Sequence, residues 1–88
     1  MANSIIKNPH TIKYVDYTTE STTFAQNTPI RFSVPLQTGE TSLDNRISAF
    51  SVANRDFIAN ITADGRLYLQ NTNPSTTTAV KVRIYYYN

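Results

Sequence analysis

Apolar and polar positions alternate with a period of two along most of the chain, the signature of strands with one buried face. The pattern is clearest over residues 77–87. Thr78, Val80, Val82, Ile84 and Tyr86 fall on one face, and Ala79, Lys81, Arg83, Tyr85 and Tyr87 on the other. The first set is the expected core face, because β-branched and aromatic side chains pack well on a pleated, half-buried surface. Ile30, Phe32 and Val34 repeat the pattern, with Arg31 and Ser33 facing out. Phe57, Ala59 and Ile61 alternate with Asp56, Asn60 and Thr62, although Ile58 interrupts the polar face. Further strands are predicted over residues 11–18, 22–25, 46–53 and 66–70. Within 46–53, Ile47, Ala49, Phe50 and Val52 do not settle on one face. No window of a dozen residues carries the i, i+3, i+4, i+7 spacing of an amphipathic helix.

Turn chemistry punctuates these runs. Asp64-Gly65 is a strong hairpin signal between Ile61 and Leu67, since both residues tolerate positive φ; Gly65→Asn is therefore expected to be mild and Gly65→Val damaging. Asn71-Thr72-Asn73-Pro74-Ser75 forms a second turn cluster, and residues 37–42 the longest loop. Seven or so short strands at this spacing predict an all-β fold, a single small antiparallel β-sandwich of jelly-roll or Ig-like type, with a barrel as the alternative. Residues 1–10 read as a flexible N-terminal arm and residues 11–88 as one β domain.

Size sharpens the picture. Eighty-eight residues allow one core, and a chain this short buries only about 60–65% of its unfolded surface. There is no cysteine, which excludes disulfides and thiolate chemistry. A domain without such staples gains stability by covering its exposed sheet with a second copy, and an aromatic last strand on a sheet edge adds the same pressure. No run approaches the length of a membrane-spanning helix, and Ile5-Ile6 is too short an apolar island for a signal peptide. The expectation is a complete small protein made in the cytosol. The net charge of +2 argues against nucleic acid as a partner.

The chemistry of catalysis is thin. His10 is the only histidine, and the six carboxylates are scattered; neither a nucleophile with its base nor a metal-ligand set emerges, so no enzyme activity, metal or cofactor is expected. Lys81, Arg83, Tyr85 and Tyr87 are the one notable cluster, with Tyr68 as a further outward-facing ring. Basic and aromatic side chains interleaved on a strand suit a subunit interface, a stacked sugar or a nucleic-acid base. They equally suit a bland face where cationic stems shield the rings.

The stretch Ile61-Thr62-Ala63-Asp64-Gly65-Arg66-Leu67-Tyr68-Leu69-Gln70-Asn71-Thr72, followed by Val80-Lys81-Val82-Arg83-Ile84-Tyr85-Tyr86-Tyr87, resembles the closing segment of small all-β bacteriophage virion appendage domains, of tail-fibre-tip or capsid-decoration type. The resemblance spans about the last 30 residues and rests on a strand, Asp-Gly turn, strand, Asn/Thr turn and long aromatic strand. It implies a non-enzymatic virion structural or interaction protein: a symmetric homo-oligomer, trimer favoured, made in the host cytoplasm and acting in capsid decoration or fibre assembly with capsid or tail proteins. Two other functions stay open, a carbohydrate- or host-receptor-binding module using exposed tyrosines and a small phage-encoded inhibitor of a host protein.

Overall fold

A computed structural model describes residues 11–88; the expected arm, and His10 with it, lies outside the described residues. Eight strands follow in order: β1 (Ile12–Thr18), β2 (Thr22–Phe24), β3 (Ile30–Phe32), β4 (Arg46–Ser51), β5 (Phe57–Ile61), β6 (Leu67–Asn71), β7 (Thr76–Thr78) and β8 (Lys81–Tyr87). One 3-10 turn, Leu43–Asn45, precedes β4, and the Ser42 hydroxyl caps it by accepting the Asp44 N–H. The fold is all-β, and the strands form antiparallel sheets β1-β8-β4 and β3-β6-β5 with a ribbon β2-β7.

One core serves all three. Val82, Ile84 and Ala49 from the first sheet, Leu67, Leu69 and Phe57 from the second and Phe24 from the ribbon are buried together. The inner face expected for the last strand is confirmed, with Val80, Val82, Ile84 and Tyr86 all buried. Phe24, which alternation alone did not bring forward, is fully buried and meets the Phe57 ring edge-on at 4.9 Å. The ambiguity of residues 46–53 has a structural cause. The register of β4 against β8 shifts between Arg46 and Ser48, so that Ile47 is accommodated in an irregular step, Ala49 turns inward and Phe50 outward.

Two expectations about the last strand are corrected. Residues 77–87 are not one strand: β7 ends at Thr78 and pairs with β2, whereas β8 begins at Lys81 and pairs with β1 and β4. Thr19 makes the break, because its N–H donates to the Val80 carbonyl (2.9 Å) and its hydroxyl accepts the Val80 N–H (3.0 Å). Nor is the last strand an edge: β8 is the middle strand of its sheet. Its aromatic residues gain neighbours on both sides instead of facing an open ladder.

The β5–β6 hairpin closes as its turn residues predict. Ala63-Asp64-Gly65 is the loop, Gly65 has φ +81°, and the flanking Thr62 N–H donates to the Arg66 carbonyl. The expectation that asparagine is mild at position 65 is corrected by packing. A Cβ there would lie 2.7 Å from the Leu43 carbonyl oxygen and 2.8 Å from its Cβ. The long loop after β3 is held from inside by the buried Arg46 side chain, which reaches Glu40 and the carbonyls of Val34 and Pro35.

Candidate functional site: the outer face of the β1-β8-β4 sheet

Register assembles this face. Side chains directly opposite in an antiparallel pair share a face, so β1 contributes Ile12 beside Tyr87, Tyr14 beside Tyr85, Asp16 beside Arg83 and Thr18 beside Lys81. From the other side, β4 sets Ser48 beside Tyr85 and Phe50 beside Arg83. Four of the five residues singled out from the sequence, Lys81, Arg83, Tyr85 and Tyr87, therefore lie together. Tyr68 does not join them; it stands on the outer face of β6, opposite Arg31 and Asn60 in register, with its hydroxyl donating to Gln70 Oε1 at 2.8 Å.

Three rings form a row across the strands. Tyr85 is half-buried at the centre, Tyr14 meets it edge-on at 5.9 Å, and Phe50 lies nearly parallel to it at 6.0 Å. Tyr14 is 54% exposed and Phe50 43%, which leaves large apolar area in water. Ile12, Ile47 and Tyr87 are exposed as well. Tyr14 and Phe50 were missed in the sequence because they belong to distant strands. Tyr14 reaches Tyr85 only through the pairing of β1 with β8, and the outward phase of Phe50 in β4 was hidden by the shift at Ile47.

A charged cluster borders the rings. Arg83 grips Asp16 with Nε to Oδ1 at 2.8 Å and Nη2 to Oδ2 at 3.2 Å, while its guanidinium sits 4.2 Å from the Tyr14 ring centroid. Lys81 approaches the same carboxylate at 3.8 Å. The hydrogen bond from Arg83, with the charges of Arg83 and Lys81, holds the Asp16 carboxyl below its ordinary range against the opposing effect of burial. The cations are thus engaged with a carboxylate and a ring, and the face offers rigid aromatic area with a polar margin.

Elsewhere, an open cavity of about 500 Å³ is lined by Val34, Pro35, Leu36, Leu43, Gly65 and Arg66 among others. Among the described residues no group of three His, Cys, Asp or Glu side chains is placed to hold a metal ion, and no helix is long and apolar enough to cross a membrane. No protein-family model, curated protein or solved structure matches the chain.

Proposed function

We propose that the protein is a non-enzymatic interaction module that forms a symmetric homo-oligomer, with the outer face of the β1-β8-β4 sheet as its docking surface. The row Tyr14–Tyr85–Phe50 carries this reading. Interface centres are enriched in aromatic residues and ringed by polar groups, and this row has Lys81, Arg83 and Asp16 along one side. The rings are already fixed against one another and against Arg83, so docking orders few side chains. The resemblance of the closing segment supplies the setting: a virion, where such an oligomer decorates a capsid or builds a fibre.

The test is mass in solution by light scattering, for wild type and for a variant carrying Tyr85→Ser and Phe50→Ser. Wild type is expected as an oligomer at tens of micromolar, and the variant at lower mass with unchanged strand content. A monomeric wild type overturns the oligomer, and an unchanged mass in the variant overturns this face as its joint. Lost binding to glycans or cells at unchanged mass would give the face to a sugar ligand instead.

A further inference from the structure

The β1 strand is the longest outer strand among the described residues, seven residues paired on one side only, with β8. Two hydrogen bonds fix which of its main-chain groups turn toward β8. Asn88 N–H donates to the Thr11 carbonyl and Thr19 N–H to the Val80 carbonyl, at opposite ends of one continuous register. Because main-chain direction alternates along an antiparallel strand, Thr11, Lys13, Val15, Tyr17 and Thr19 address β8. The N–H and C=O groups of Ile12, Tyr14, Asp16 and Thr18 are aimed at the open side, where no described strand pairs with them.

We infer that this edge pairs antiparallel with the same edge of a second copy, about a two-fold axis at Val15. The inference rests on the self-association proposed above and names the surface that first joins two chains. With Val15 opposite Val15, Ile12 faces Thr18 and Tyr14 faces Asp16 of the second copy, and the reverse. Every main-chain group on the open side is then paired, with two hydrogen bonds in each of four pairs. A two-fold axis at Tyr14 instead sets Thr18 opposite position 10, outside the described residues.

The side chains agree with this register. Val15 and Tyr17 are packed against the core but only half-buried, β1 being the last described strand on that side. A neighbouring strand completes their burial, with Val15 against Val15 and the Lys13 stem along Tyr17. The two Lys13 ammonium groups stay at opposite ends. The two Asp16 carboxylates lie diagonally, each already held by its own Arg83 and Lys81. The result is a six-stranded sheet in which the two aromatic rows lie on one continuous face. A two-fold joint of this kind builds dimers or assemblies of dimers, not the trimer that the resemblance implies.

Amide hydrogen exchange followed by NMR across a dilution series reads the edge directly. In the oligomer, the amides of Ile12, Tyr14, Asp16 and Thr18 are expected to be protected, and on dilution to monomer to exchange at least tenfold faster. Those of Lys13, Val15 and Tyr17 stay protected throughout. Protection of the first set that survives in the monomer means the edge is filled from within the chain, and overturns the inference. A second measurement uses Thr18→Pro, which removes one open-side N–H and spares the ladder to β8 and the aromatic row, beside Thr18→Ser, which keeps that N–H. Thr18→Pro is expected at lower mass than wild type and Thr18→Ser at the wild-type mass. Equal masses for these two variants overturn the edge joint. If Thr18→Pro keeps the oligomer while the Tyr85/Phe50 double variant loses it, the sheet face stands and the edge falls; the opposite pattern does the reverse.

Discussion

Arg46 and Glu40 are locked side by side in the interior: Arg46 Nε donates to Glu40 Oε1 at 2.7 Å and Nη2 to Oε2 at 2.8 Å, with both side chains shut off from solvent. The remaining guanidinium donors go to main-chain carbonyls, Nη1 to Val34 and Gly65 and Nη2 to Pro35. All five N–H groups are used, and Glu40 Oε2 also accepts the Gln37 N–H. One side chain on β4 thereby ties the loop after β3 to the β5–β6 turn. Arg46→Ala is expected to cost about 3–5 kcal/mol in a denaturant melt, because it strands a buried carboxylate and three carbonyls. Arg46→Lys is expected to restore only a small part, since an ammonium lacks the planar fork. A cost below about 1 kcal/mol for the alanine variant would show that the loop finds other partners.

The same pair predicts an acid limb in stability. Burial pushes the Glu40 carboxyl up, but hydrogen bonds from Arg46 and the Gln37 N–H, together with the Arg46 charge, outweigh it and leave the group below its ordinary 4.5. A carboxyl depressed in the folded state stabilises the protein above its unfolded value, and that contribution is lost as pH falls through the folded value. Melts from pH 7 downward should therefore show stability declining below about pH 4.5. Glu40→Gln should be less stable at neutral pH, and its deficit should shrink as acid protonates the wild-type carboxyl. A constant deficit between pH 7 and pH 3 would place the acid sensitivity elsewhere.

Gly65 is constrained twice, by φ +81° and by Leu43 packed against the place a Cβ would occupy. Gly65→Ala and Gly65→Asn are both expected to destabilise by more than about 1 kcal/mol, although asparagine is at home at positive φ. Turn preference alone predicts a clear advantage for asparagine. Thermal melts of the two variants decide between backbone strain and the Leu43 contact.

Alternation carried much of the fold. It placed Val80, Val82, Ile84 and Tyr86 on the buried face, and Leu67 and Leu69 opposite Tyr68, because a strand's two faces meet different solvents. It could not place β8 between β1 and β4, since the side-chain period is the same for a central strand and an edge. It also ran unbroken through Ala79 and Val80, where the chain leaves one sheet for another. The candidate site was half legible for the same reason. Tyr85 and Arg83 stood out as neighbours on one strand, whereas Tyr14, Asp16 and Phe50 reach them only through pairing across the chain. Arg46 and Glu40 were not singled out, for nothing local marks a guanidinium that will be surrounded by carbonyls.

The corner at Thr19 offers the sharpest test of how the sheets are joined. Thr19 is 2% exposed, and its hydroxyl is fully committed, accepting from Val80 N–H and donating to the Glu20 carbonyl at 3.0 Å. Its own N–H holds the Val80 carbonyl, so both main-chain groups of Val80 depend on this one residue. The chain on either side leaves β1-β8 for β2-β7 at this point, and the short ribbon is otherwise held by Phe24 in the core, by Thr23 to Thr77 through their hydroxyls at 2.8 Å, and by Asn71 Nδ2 to the Phe24 carbonyl at 3.2 Å. Thr19→Val keeps the shape but offers no acceptor, leaving a buried N–H unsatisfied at a cost of about 1–3 kcal/mol. Thr19→Ser keeps the acceptor, and its expected cost is smaller. The loss should be felt locally first, as faster amide exchange in Thr22–Phe24 and Thr76–Thr78, with the central strand β8 still protected. A larger cost for serine than for valine would mean that packing of the methyl group, and not the hydroxyl, sets the corner.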